Sequence, residues 1–166
     1  HSTLMDAKAP IGKGAAPTPK EFVGWGLGGC TAMDVAALLK KHKQQPESFE
    51  IAVEIVPSVG KQPAVFESAM LTYRVLGPVD PAVLSEAVLL SQTKYCGVSA
   101  MLAKAFPIHY RVELNGVEIS SGQTHILTTR HGGGCAARMD QCFGWWGPYW
   151  NLGVDYAFVE RSSYGH

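Results

Sequence analysis

The stretch from Thr18 to Lys43 constrains this chain more than any other, because it opens like a helix and then stays apolar on nearly every face. Thr18-Pro19-Lys20-Glu21 is a capping box: Thr18 can cap the free amides, Pro19 suits the first helical position and Glu21 reaches back as the third residue. Gly24, Gly26, Gly28 and Gly29 follow. That much glycine predicts a break or kink near Gly28-Gly29, or a very close approach by another segment. From Cys30 onward only Thr31 and Asp34 are polar before Lys40, Lys41 and Lys43 end the run. A helix that is apolar all round is a buried helix, so other elements must wrap around it.

After Pro46 the period changes to two. Phe49, Ile51, Val53 and Ile55 alternate with Glu50, Ala52 and Glu54, and a second alternating run covers Val65 to Val75, predicting two antiparallel strands joined through Ser58 to Pro63. Asp80-Pro81 repeats the cap-plus-proline signal and opens a helix with Val83, Leu84, Ala87, Val88 and Leu90 on its apolar side. Val98 to Ala105 has helical character. Ile108 to Leu114 reads as a strand, and Asn115-Gly116 as the turn of a hairpin into Val117 to Ile119. The fold class is therefore α+β in one domain spanning residues 1–166.

Composition narrows the function. Lys plus Arg and Asp plus Glu are 14 each, so the net charge is zero and no basic field favours nucleic acid or an acidic membrane. Phe22 to Leu39 is too interrupted by glycine and Asp34 to read as a membrane span, and a soluble protein is expected. His1 to Ala9 lack the charged start and apolar run of a secretion leader, and position 1 is not Met, which suggests a processed or rebuilt start. Charged residues are only 17% of the chain, below the usual quarter or so, and an obligate oligomer would explain the deficit.

The four cysteines, Cys30, Cys96, Cys135 and Cys142, are too few and too widely spaced for a disulfide scaffold or a zinc signature. They suit a reducing cytoplasm and functional thiols. Cys30 follows the expected glycine break, where free amides and the helix macrodipole would favour thiolate, and this makes it the nucleophile candidate. The plainer reading is a small buried apolar residue. His42, His109, His125 and His131 show no metal spacing, and no metal site is assigned.

Pro19-x-Glu21, then Gly28-Gly29-Cys30-Thr31-Ala32-Met33-Asp34-Val35, and later Lys94-Tyr95-Cys96-Gly97-Val98-Ser99-Ala100-Met101-Leu102, carry a resemblance. Together they resemble the OsmC/Ohr family of thiol-dependent hydroperoxide reductases, closer to the OsmC-like branch. The resemblance implies antiparallel sheets wrapped around a buried central helix in an intertwined homodimer. It implies that Cys30 attacks a peroxide oxygen to give a sulfenic acid and that Cys96 resolves it as a disulfide. It further implies an organic hydroperoxide or other apolar small molecule as substrate, a cellular dithiol as reductant and no cofactor.

Some residues depart from the family pattern. Lys20 stands where the hydroperoxide-resistance branch places a catalytic glutamate, while Glu21, one residue on, is either catalytic or only the capping-box partner. Arg161 has no clear place. Two other functions stay open: Cys30 attacking an ester or carbonyl, and a non-catalytic binder of small apolar ligands. Asp34 reads as a hydrogen-bonding residue of the dimer core rather than an acid–base group.

The ends suggest a circular permutation. Residues 1–6 look like the second half of the family's opening hairpin, and residues 150–166 like its first half, with 120–149 bridging the original termini. In that bridge, Cys135 and Cys142 read as packing thiols or a local link. Trp145, Trp146 and Trp150 read as core or interface packing, or as the wall of an apolar substrate pocket.

Overall fold

The computed structural model describes residues 2–126 and the backbone of a strand at 158–160. Helix α1 (Pro19–Lys41) opens with the expected capping box: the Thr18 side chain accepts the Glu21 N–H at 3.3 Å and the Glu21 carboxylate accepts the Thr18 N–H at 2.5 Å. Strands β1 (Ser48–Pro57) and β2 (Phe66–Leu76) pair antiparallel. Helix α2 (Pro81–Leu90) starts at Asp80, whose side chain accepts the Ala82 and Val83 amides, and runs into a π-helical turn at Ser91–Tyr95. Helix α3 (Gly97–Leu102), strands β3 (Ile108–Leu114) and β4 (Val117–Gln123), and β5 (Phe158–Glu160) follow.

The sheet has the order β4-β3-β2-β1-β5. Its outward-facing residues include Arg74, which spans three strands by bonding Glu50 at 2.8 Å and Glu113 at 3.3 Å. The inward alternation of Phe49, Ile51, Val53 and Ile55 with Leu71, Tyr73, Val75, Ile108 and Val112 forms the buried floor on which the helices lie.

Three expectations change. First, α1 does not break at Gly28-Gly29; it is one 23-residue helix. Each glycine costs about 0.5–1 kcal/mol of helix propensity relative to Ala, yet packing of the buried face outweighs it. Gly24 shows how: a Cβ there would meet Ile55 Cδ1 at 3.2 Å, so the missing side chain lets the helix settle onto β1. Second, the sheet is not wholly antiparallel. The two helices between β2 and β3 carry the chain back across the sheet, and the strands pair parallel. Third, residues 2–6 form no strand. Instead Asp6 organises a loop, accepting the amides of Ala7, Lys13 and Ala15 at 2.8, 3.1 and 2.9 Å. The expected hairpin between residues 1–6 and 150–166 is thus absent over residues 2–6, and β5 joins the edge of β1 in parallel. His1 and residues 127–157 and 161–166 lie outside the described residues, and with them Trp145, Trp146, Trp150, Cys135, Cys142 and Arg161.

By length and composition α1 would suffice to cross a bilayer. Here Leu27, Val35 and Leu39 are 0–1% exposed against the sheet and helices, which makes it a core helix of the domain. It is not apolar and buried all round, however: Trp25 and Met33 are 38% and 45% exposed on its outer face.

Candidate functional site

Cys30 lies about midway along α1, half-buried. Because the helix is continuous, the amides around it are bonded within the helix, and activation by free amides at a helix start does not operate. Asp34 follows one turn later, on the same face. Cys96 is the N-cap of α3, which packs against α1; its sulfur accepts the Ser99 N–H at 3.3 Å and its own N–H is bonded to the Ser91 carbonyl at 2.9 Å. The sulfurs of Cys30 and Cys96 and a carboxylate oxygen of Asp34 all lie within 4.8 Å of one another. Sixty-six residues of sequence are closed by the π turn, which ends α2 early and aims Cys96 back at α1.

Burial raises the Cys96 thiol to about 11, partly offset by bonds from Ser99 and reinforced by Cys30 beside it. Burial also raises the Asp34 carboxyl, opposed by the bond from Ser91. The three groups are of kinds that can share a cation, but both thiols would have to ionise, which burial opposes at Cys96, and no metal is assigned here.

Behind Asp34 runs a hydrogen-bond network that the sequence did not reveal. Ser91 Oγ donates to Asp34 Oδ2 at 3.0 Å, and Thr31 Oγ1 bonds Ser91 Oγ at 2.8 Å and Tyr73 OH at 2.6 Å. Gln92 Nε2 donates to Thr31 Oγ1 at 2.9 Å and to Tyr73 OH at 2.7 Å, while its Oε1 accepts Thr124 Oγ1 at 2.7 Å. Thr31, Tyr73, Ser91 and Gln92 are all 0% exposed. The available signal was polarity out of place: Thr31 and Asp34 in an apolar helix, and Ser91-Gln92-Thr93 closing another.

The remaining predicted residues stand apart. Glu21 is nine residues before Cys30, about 13 Å along the helix at ~1.5 Å per residue, and is not part of the sulfur cluster. Its carboxylate serves the Thr18 cap and an ion pair with Lys8 at 3.6 Å, and hydrogen bonding to Thr18 holds it below the usual carboxylate range. Lys20 Nζ donates to the Ala64 carbonyl at 2.7 Å, tying α1 to the strand connection. A groove of about 470 Å³ that includes Met70, His109 and Arg111 opens on the outward side of the sheet, away from the sulfurs.

With both sulfurs placed, the comparisons decide the family. Residues 12–111 match the model of the OsmC-like protein family, a span that contains Cys30, Asp34 and Cys96. The chain belongs to the OsmC-like family. Protein YhfA of Escherichia coli (strain K12) is 34% identical over 115 residues, covering 69% of this chain and 83% of YhfA. A hypothetical protein from Aquifex aeolicus VF5 has a crystal structure 28% identical to this chain, with a TM-score of 0.55 over 66% of this chain and 87% of its own. An organic hydroperoxide resistance protein OsmC from Legionella pneumophila shares the fold at 14% identity, with a TM-score of 0.51 over 61% of this chain and 73% of its own. The α+β OsmC fold expected from the sequence motifs is the fold observed.

Proposed function

We propose that this protein is a two-cysteine thiol peroxidase acting on organic hydroperoxides. The observation that carries the reading is the pair of free thiols, Cys30 and Cys96, with sulfurs within 4.8 Å of one another. A disulfide needs about 2.05 Å between sulfurs, so the two can join with a small movement at the N-cap of α3. Half-exposed Cys30 is the sulfur that peroxide reaches, and buried Cys96, 1% exposed, is shielded until the sulfenic acid forms beside it. In the first step the Cys30 sulfur takes the distal peroxide oxygen, the O–O bond breaks and an alcohol leaves. Cys96 then displaces water to form the disulfide, and a cellular dithiol returns both thiols. The family membership and the hydroperoxide-resistance protein of the same fold support this reading.

The proposal includes a homodimer, because Trp25 and Met33 lie exposed on the outer face of α1 near the thiols, in a chain of low charge, and a reducing cytoplasm as its setting, which suits the two free thiols. It also keeps Glu21 as a candidate catalytic carboxylate, and Trp145, Trp146 and Trp150 as candidate pocket walls. The test is consumption of cumene hydroperoxide with dithiothreitol. Turnover that Cys30→Ser abolishes, with a mapped Cys30–Cys96 disulfide after one equivalent of oxidant, supports the reading. Turnover no better than that variant's rejects it.

A further inference from the structure

The network behind Asp34 ends on its carboxylate, whose Oδ2 accepts from Ser91 Oγ at 3.0 Å. Gln92 Nε2 lies within donating distance of both Thr31 Oγ1 and Tyr73 OH, and its Oε1 accepts from Thr124 Oγ1. Ser91 gives its proton to Asp34 Oδ2, and with Tyr73 donating to Thr31 and Thr31 to Ser91 every hydroxyl of the chain has an acceptor. With the Gln92 N–H turned toward Tyr73, reversing the chain so that Asp34 donates to Ser91 would leave the buried Tyr73 proton with no acceptor, a cost of about 1–3 kcal/mol. In the arrangement with Ser91 donating, Asp34 Oδ2 is kept as an acceptor. A proton can still be taken up on Oδ1 without disturbing the chain. The bond from Ser91 anchors the carboxylate, an oxygen of which lies within 4.8 Å of both sulfurs.

We propose that Asp34 is the proton-transfer residue of the thiol pair, taking the Cys96 proton as that sulfur attacks Cys30 and passing it to the leaving group. The inference rests on the two-cysteine reading for its place in turnover. In the resolving step the Cys96 S–H bond breaks, an S–S bond forms and the Cys30 S–O bond breaks. The Cys96 sulfur is oxidised, the Cys30 sulfenyl sulfur is reduced, and the proton reaches the departing hydroxide as water. Asp34 ends unchanged. Cys96 needs such a partner because burial keeps it a thiol at neutral pH, and a raised carboxyl is the better base for it.

Two assays of the reduced protein separate this inference from the peroxidase reading. In the first, Cys30 is loaded as a mixed disulfide with an aromatic chromogenic thiol, and closure by Cys96 is followed as that thiol departs. In the second, one equivalent of cumene hydroperoxide is added, and sulfenic acid and disulfide are timed separately. Asp34→Asn, which can still accept from Ser91, should slow closure by about 10²-fold or more and make sulfenic acid accumulate. Asp34→Glu should restore part of the rate, and Ser91→Ala should slow closure less than Asp34→Asn does. Closure in Asp34→Asn within twofold of wild type overturns the inference. Closure that depends on Asp34 in a protein inert to peroxide supports it while sinking the peroxidase reading. Failure of the wild type to form the Cys30–Cys96 disulfide by either route overturns both.

Discussion

Thr31→Val removes one hydroxyl and almost no volume, and the network should make that costly. Thr31 is 0% exposed and its oxygen has three partners: it accepts from Gln92 Nε2 and is hydrogen-bonded to Tyr73 OH and Ser91 Oγ. The substitution takes a hydrogen-bond partner from Tyr73 OH and from Gln92 Nε2, both fully buried, while Ser91 keeps its bond to Asp34. At about 1–3 kcal/mol for each buried group left without a partner, the loss is about 2–6 kcal/mol. That is a large share of the ~5–15 kcal/mol by which such domains are stable. Urea unfolding of the reduced protein at one fixed concentration should show the midpoint falling by about 1–3 M if the slope is near ~2 kcal/mol per M. Thr31→Ser keeps the hydroxyl and should lose about 1 kcal/mol, the price of a methyl group. Tyr73→Phe combined with Thr31→Val should cost less than the two single changes added, because the pair shares one bond. A Thr31→Val protein within about 0.5 kcal/mol of wild type would mean that the network contributes little, and the anchoring of Asp34 would lose its support.

Three further outcomes are expected. The Cys96 thiol is raised to about 11 in the fold, against about 9 as its unperturbed value, so the folded protein holds that proton longer than the unfolded chain. Stability of the reduced protein should be level below about pH 9, as far as this group is concerned, and fall by roughly 2–3 kcal/mol up to about pH 11; Cys96→Ala should remove that part of the slope, and an unchanged profile refutes the assignment. Gly24→Leu should destabilise by about 1–3 kcal/mol, since even a Cβ there lies 3.2 Å from Ile55 Cδ1; thermal unfolding at or above the wild-type midpoint would show that α1 does not need this close approach. Sedimentation at micromolar concentration should find a dimer, and Met33→Lys should weaken it. A single-chain species in the wild type removes the dimer from the proposal.

Local signals were legible wherever neighbours in the chain satisfy one another. The Thr18–Glu21 box, the Asp80-Pro81 cap and the Asn115-Gly116 turn each complete their own hydrogen bonds or dihedrals within a few residues, and the structure has each where the chain announces it. The same holds for the period-two alternation of β1 and β2, whose pattern names its buried face without reference to the partner. The motif around Cys30 and Cys96 likewise identified the fold. What depended on distant partners was not legible. Four glycines read locally as a break, yet β1 lies close enough to Gly24 that the absence of a side chain becomes the means of packing, and the helix runs on. That one difference moves Cys30 from a helix start, where free amides would activate it, to a helix middle, where they do not. Asp34 read as one polar residue in an apolar helix, because its meaning comes from Ser91, 57 positions away, and from sulfurs on two elements. A capping box is a contract between neighbours, whereas a proton relay exists only where a π turn and a parallel crossover fold remote side chains into bonding distance.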